Sequence, residues 1–230
     1  MPLLLFDIDG TLLRVNGAGR RAVESALSEF VGQPLSTDSV RFSGKTDPQI
    51  VREVLSANGV EADADLIDDA VEVYAETAAT ALQPTDVATL PGASDLVDRL
   101  SQIPSVQLGL VTGNVRRMAY TKLQAVNLAS YFPFGAFGCD HADRNELPSI
   151  ALQRAARHTG RSYAGDQTVI IGDTVHDIQC GRGVGARSVG VCTGSYSRAD
   201  LASHNPDLLL DDLQGVDGLL LRLFDYRRQA

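Results

Sequence analysis

The stretch Leu3-Leu4-Leu5-Phe6-Asp7-Ile8-Asp9-Gly10-Thr11 decides the fold of this chain. Its first four residues are an apolar run of the length and kind that forms a buried strand. The chain must then turn, and Gly10 permits the turn. Two carboxylates two positions apart at a strand end converge on one small site. A carboxylate can attack phosphorus and become an acyl phosphate. A second acid beside it can carry protons for the leaving group and for water. Two crowded acids also call for a cation, and their hard oxygens suit Mg²⁺. Asp and Gly are ordinary turn residues as well, so the pentapeptide by itself also reads as a strand ending in an acidic turn.

Two later stretches repeat the pattern. Val169-Ile170-Ile171-Gly172-Asp173-Thr174-Val175-His176-Asp177 is again a short apolar strand running into Gly-Asp. If a helix starts there, Asp173 and Asp177 face one way. Leu108-Gly109-Leu110-Val111-Thr112-Gly113-Asn114 delivers a hydroxyl and a Gly-Asn turn, good donors to phosphate oxygens. Three strand ends carrying acids, a hydroxyl and more acids point to one site along one edge of a parallel sheet. Open α/β sheets bind ligands at the carboxyl ends of their strands.

On these residues the chain resembles the haloacid dehalogenase-like superfamily, and within it the phosphoglycolate-phosphatase type with a helical cap after the first strand. Asp7-Ile8-Asp9-Gly10-Thr11 matches the first motif, Thr112 the second, and Gly172-Asp173 with Asp177 the fourth. Gly44-Lys45-Thr46-Asp47 is similar to a cap segment of this subgroup. The resemblance implies Asp7 as nucleophile, Asp9 as general acid and base, and Thr112 on the phosphoryl oxygens. It implies Mg²⁺ held by Asp7, Asp173 and the backbone carbonyl of Asp9, so the expected metal site is Asp7, Asp9 and Asp173, with Asp177 supporting it directly or through water. Gly113, Asn114 and Lys45 are the expected substrate contacts, Lys45 reaching an anionic tail.

The third motif departs from the family, which supplies a lysine or arginine there, often as a Lys-Pro pair opening a helix. The matching stretch here is Cys139-Asp140-His141-Ala142-Asp143-Arg144-Asn145-Glu146-Leu147-Pro148, and no lysine follows Lys122. Arg144 is the basic residue at the expected place. Its permanent charge can neutralise the nucleophile and the phosphoryl group. It is therefore a fourth candidate catalytic residue beside Asp7, Asp9 and Thr112; the alternative is a solvated surface charge.

Composition narrows the class. Of 230 residues, 44% are apolar, enough for a real core. The net charge of −9, from 29 acids against 20 basic side chains, argues against a general nucleic-acid binder. Attraction of an anionic substrate must therefore be local. Cys139, Cys180 and Cys192 are odd in number and far apart, which suggests neither a disulfide framework nor a zinc site. A reduced cytoplasmic setting fits, and no stretch reads as a membrane span or signal peptide. The expected partner is a small phosphorylated substrate, with neither nucleic acid nor membrane, on a monomer or weak homodimer.

Alternating strand and helix patterns give an α/β fold with a Rossmann-like parallel sheet. Expected strands are 3–7, 107–112, 134–138, 168–172, 187–191 and 207–210. Expected helices between them are 93–103, following a turn at Pro91-Gly92, and 114–127, 146–159 and 174–183. Residues 15–86 break the alternation, with helices at 17–31, 47–58 and 63–82 and no convincing strand. The expected division is a core of 1–14 and 88–230 and an all-helical cap of 15–87, with hinges at Leu12–Asn16 and Gln83–Leu90. Leu219–Phe224 reads as a closing helix and Arg227-Arg228 as a frayed end.

The chemistry is then that of a Mg²⁺-dependent phosphatase working through an aspartyl-phosphate. A phosphomutase of the β-phosphoglucomutase kind, a dehalogenase and a non-enzymatic binding protein are the alternatives on the same fold. Asp9 argues for phosphorus chemistry, since family dehalogenases typically lack it. Among other residues, Arg14 and Arg20 lie where cap closure can bring them over the site. His176 between the fourth-motif acids, His141, His158, His204, Cys180 and Arg116-Arg117 read as surface or packing groups.

Overall fold

The computed structural model describes residues 2–215. The closing helix expected at 219–224 and the Arg227-Arg228 end lie outside the described residues. Strand β1 (Leu3–Phe6) is the middle of a sheet whose other members are β4 (Gln107–Val111), β5 (Gly135–Ala136), β6 (Thr168–Gly172), β7 (Arg187–Val191) and β8 (Leu208–Leu210). The order is β5-β4-β1-β6-β7-β8, and all pairings are parallel. Leu3 stands between Gln107 and Thr168 in register.

The apolar run of β1 follows from this place. Leu4 and Phe6 point into one core layer with Leu96 and Leu100 of α4 (Ala93–Ser101) and Ala119 and Leu123 of α5 (Arg116–Ala125). Leu3 and Leu5 point into the other, with Leu147, Ala151 and Ala155 of α6 (Leu147–Thr159) and Cys180 of α7 (Val175–Cys180). A strand covered on both faces has no polar side to show, so alternation disappears. Each fully buried Leu or Phe stabilises the fold by about 1.5–3 kcal/mol. Helix α8 (Arg198–Ser203) lies between β7 and β8 in the chain.

Between β1 and β4 the chain forms α1 (Ala18–Val31), α2 (Asp47–Ala57) and α3 (Ala64–Ala81). They close around Val23, Leu27, Val54, Leu55 and Ala70, and Val115, just before α5, and Met118 within it join the same cluster. Thr46 caps α2 in a reciprocal box with Gln49, with Pro48 in the first turn, and Asp63 caps α3. The structure adds two short strands to those expected, one in each connection. β2 (Leu13–Val15) pairs antiparallel with β3 (Val87–Thr89), Leu13 opposite Thr89 and Val15 opposite Val87. Leu13 and Val87 are buried in the main core while Arg14 and Ala88 face out. Three residues each are too few for a readable alternation. The other shifts are small. The strand at 134–138 contracts to Gly135–Ala136, and the helix at 174–183 gives way to a 3₁₀ turn at Gly181–Val184.

Candidate active site

The sheet order places the ends of β4, β1 and β6 side by side, and with them Thr112, Asp7 and Asp173. The loop after β1 turns at Gly10, whose φ is +82°, and a Cβ there would strike the Asp173 carboxylate. Gly194, after β7, leaves room for the same carboxylate. Thr11 Oγ1 donates to Asp173 Oδ1 at 3.1 Å. Asp177 is held from below: Thr174 donates to its Oδ2 through N–H at 3.0 Å and Oγ1 at 2.7 Å.

One oxygen each of Asp7, Asp173 and Asp177 lies within 4.8 Å of the others, and all three residues are buried. Burial pushes the Asp7 carboxyl up to about 7, with the charges of Asp177 and Asp9 adding to it and Arg144 opposing. Burial raises Asp173 well above the carboxylate range, and Asp177 and Asp7 reinforce the shift. Arg144 Nη2 stands 3.1 Å from Asp7 Oδ1 and 2.5 Å from Asp177 Oδ1, itself 6% exposed. Burial works against its charge, but the two carboxylates outweigh that and hold it more firmly protonated than usual. Three buried carboxylates beside one guanidinium ionise together only against the cost of burial, and a further cation offsets that cost. Hard oxygen donors in that arrangement fit Mg²⁺.

Asp9 lies outside that cluster. Its Oδ2 accepts from Lys122 Nζ at 2.7 Å and from Asn114 Nδ2 at 2.7 Å. Asn114 also donates to Thr112 Oγ1 at 2.8 Å and accepts from Lys122 at 2.5 Å. Lys122 is nearly buried, whereas the Asp9 side chain is 39% exposed.

The segment before α2 sits directly on these loops. Asp47 N–H donates to the Gly113 carbonyl at 2.8 Å, Val115 N–H donates to Asp47 Oδ2 at 2.8 Å, and Thr46 Oγ1 donates to the Ala142 carbonyl at 2.9 Å. A Cβ on Gly113 would strike the Lys45 carbonyl, and one on Gly138 the Gly113 carbonyl, so glycine is what allows this approach. Burial pushes the Asp47 carboxyl up to about 6, with Lys122 opposing. A cavity of about 510 Å³ remains between the two parts, with Asp7, Asp9, Thr112 and Arg144 on one side and Lys45 and Tyr74 on the other.

A match to the family described as haloacid dehalogenase-like hydrolase runs over residues 4–191. The chain belongs to that family. It is similar to the phosphoglycolate phosphatase of Pseudomonas fluorescens (strain Pf0-1), 28% identical over 218 residues that span 92% of this chain and 77% of the relative. It is also similar to the phosphoglycolate phosphatase of Agrobacterium fabrum (strain C58), 25% identical over 94% of this chain and 90% of the relative. The fold matches that of CbbY from Rhodobacter sphaeroides in complex with phosphate, with a TM-score of 0.73, 19% identity and coverage of 94% and 96%.

Within this haloacid dehalogenase-like hydrolase, Asp7, Arg144, Asp173 and Asp177 lie together, and Thr112 lines the same cavity as Asp7, Arg144 and Asp173. Gly113 and Lys45 both line the cavity, but Lys45 is paired with Glu53. Asn114 turns both ends of its amide inward, to Asp9, Thr112 and Lys122. Arg14 lines the cavity and donates to the Thr193 carbonyl, and Arg20 donates to the Thr37 and Val40 carbonyls over the Phe42 ring. His176 packs against Gly44, where burial and the nearby Arg144 lower its pKa. Burial pushes the Cys180 thiol up to about 12, as befits a packing residue.

Lys122 is the site residue that the sequence reading passes over. The signal was present: Met118, Ala119, Lys122 and Leu123 mark one buried face of α5, and a lysine in that stripe needs an acidic partner. Among the described residues no helix is long and apolar enough to cross a membrane.

Proposed function

We propose that this hydrolase cleaves the phosphoric monoester of a small metabolite through an aspartyl-phosphate on Asp7, with Mg²⁺ as cofactor and residues 15–87 acting as a cap over a core of 1–14 and 88–230. The phosphatase class is the coarse statement that the two curated relatives carry. The observation that carries the finer reading is the separation of two acids: Asp7 in the buried cluster, Asp9 outside it and on the cavity.

An Asp7 oxygen bonds to phosphorus as the ester P–O bond breaks, and Asp9 gives its proton to the departing oxygen. Water then attacks the phosphorus of the aspartyl-phosphate, its proton goes to Asp9, and the bond to Asp7 breaks to release phosphate. Arg144 and Thr112 oppose charge on the transferred oxygens. Lys122 and Asn114 hold Asp9 in place for both transfers. Asp7 and Asp173, with Asp177 and a main-chain contribution from Asp9, would hold Mg²⁺, which supplies positive charge for the phosphoryl oxygens. The cap excludes bulk water.

The direct test is release of phosphate from an aryl phosphate with Mg²⁺ and with EDTA; turnover unchanged by EDTA counts against the metal. A readout independent of activity is thermal unfolding. Mg²⁺ at about 100 times its Kd stabilises the folded state by about 2.7 kcal/mol, which raises Tm by roughly 5–10 °C for a chain of this size. Asp173→Asn is expected to lose most of that rise. An equal rise in the variant removes Asp173 from the metal site.

Asp9→Asn is expected to slow turnover by about 10²–10⁴-fold, the usual share of a positioned general acid and base. The loss is larger for an alkyl phosphate than for an aryl phosphate, whose leaving group departs without a proton. Lys122→Met is expected to follow in the same direction, by about 10-fold or more, because Asp9 loses one of its two anchors. A Lys122→Met enzyme with wild-type kcat on an alkyl phosphate removes Lys122 from this role.

A further inference from the structure

We propose that Tyr74 and Asp47 form a leaving-group subsite that takes the hydroxyls of an uncharged polyol or sugar, so that this enzyme prefers polyol or sugar phosphates to phosphate esters carrying a second anion. The inference rests on the phosphatase reading and names its substrate class.

Tyr74, on α3, is 4% exposed yet lines the cavity. Its ring belongs to the apolar cluster of the inserted helices, and among the described residues its hydroxyl has no hydrogen-bond partner. The hydroxyl is not sealed in the core but open to the cavity, where a ligand or water can bond it. Burial, with Asp47 and Asp9 nearby, raises its pKa, so it remains a phenol that both donates and accepts. Asp47, at the start of α2, is 6% exposed and also lines the cavity. One of its oxygens takes the Val115 N–H, and the other has no donor among the described residues. Tyr74 and Asp47 line the same cavity, and a phenol and a carboxylate oxygen together fit an alcohol, which donates to the carboxylate and accepts from the phenol.

Three cations of the wall are matched by acids already in place. Arg144 is engaged by Asp7 and Asp177, Lys122 by Asp9 and Asn114, and Lys45 by Glu53. Arg20 donates to the Thr37 and Val40 carbonyls and Arg14 to that of Thr193, neutral partners that leave both charges in place. A substrate carboxylate placed at the Tyr74 and Asp47 subsite would meet the Asp47 carboxylate, where like charges repel. The cavity, about 510 Å³, accepts a small metabolite of several carbons. This subsite would set the chain apart from relatives named for phosphoglycolate.

The test compares kcat/KM for glycerol 3-phosphate, 2-phosphoglycolate and p-nitrophenyl phosphate in Mg²⁺ buffer. A site built to bond a hydroxyl discriminates strongly against an analogue that lacks it. Glycerol 3-phosphate is expected to exceed 2-phosphoglycolate by about 10-fold or more. Tyr74→Phe and Asp47→Asn should each lower the ratio of glycerol 3-phosphate to p-nitrophenyl phosphate by about 10-fold, mainly through KM. Phe keeps the ring in its cluster, and the Asn amide oxygen still accepts from Val115; unfolding midpoints verify that both variants fold. Equal or better turnover of 2-phosphoglycolate overturns the subsite, as does an unchanged ratio in Tyr74→Phe. Wild-type enzyme inert toward p-nitrophenyl phosphate overturns the phosphatase reading itself, and the subsite with it.

Discussion

Asp7→Asn is expected to lower turnover by a factor on the order of 10⁵ or more, the scale on which loss of a nucleophile removes covalent catalysis. The substitution is nearly isosteric. Asp7 N–H still donates to the Ile171 carbonyl at 2.9 Å, so the strand end keeps its place. The side chain loses what the reaction needs, an anionic oxygen aimed at phosphorus. It also removes a buried carboxylate whose ionisation burial opposes, so loss of activity is not expected to come from unfolding. Acid quench of a reaction with ³²P-labelled substrate separates the routes. Asp9→Asn should retain label on the Asp7 peptide as a hydroxylamine-labile acyl phosphate, because water is no longer deprotonated for the second step. Asp7→Asn should retain none. Turnover in Asp7→Asn, or the absence of labelled protein in Asp9→Asn at partial turnover, points to direct attack by water.

The fold was readable because its deciding strand is covered on both faces. Leu3–Phe6 has no exposed residue, and a four-residue apolar run followed by Asp-x-Asp-Gly has few other uses. The same holds for β6, buried along its length. Once β1, β4 and β6 are neighbours, the meeting of Asp7, Thr112 and Asp173 follows from sheet geometry alone. What escaped depends on contacts between distant elements. Lys122 stands in the apolar stripe of α5, where periodicity counts it as a helix position and says nothing of Asp9 across the loop. Asp47 reads as an ordinary helix start, and only packing of that start on Gly113 puts its carboxylate in the cavity. Asp7 and Asp9 look alike in sequence, two residues apart. The chain leaves β1 after Phe6, however, and the two acids find different partners, Arg144 for one and Lys122 for the other. The ribbon of β2 and β3 pairs segments more than seventy residues apart, which no local pattern announces.

Arg144→Ala is expected to cost a factor on the order of 10² or more in kcat/KM, the scale of removing one preorganised charge-stabilising donor. The structure sharpens the reason given by sequence position. Arg144 comes just before α6 at the carboxyl edge of the sheet, and one nitrogen, Nη2, serves both Asp7 and Asp177. It therefore couples the proposed nucleophile to the acid that Thr174 orients. Removing it leaves two buried carboxylates without that cation, so the metal-free fold is expected to weaken by about 3–5 kcal/mol, a fall in Tm on the order of 10 °C. Activity must therefore be read with Mg²⁺ present and against unfolding midpoints. Arg144→Lys separates the two effects. A lysine restores the charge but, as a point charge on a shorter stem, cannot serve both carboxylates as the planar fork does. It should recover most of the stability and only part of kcat/KM. Full recovery means that charge alone suffices, as with the lysine usual at the third motif of this family. If Arg144→Ala keeps wild-type kcat/KM, another cation faces the phosphoryl group. Lys45 is then a poor candidate because Glu53 holds it, and Lys122, nearly buried beside Asp9 and one hydrogen bond from the Asn114 that touches Thr112, becomes the residue to test.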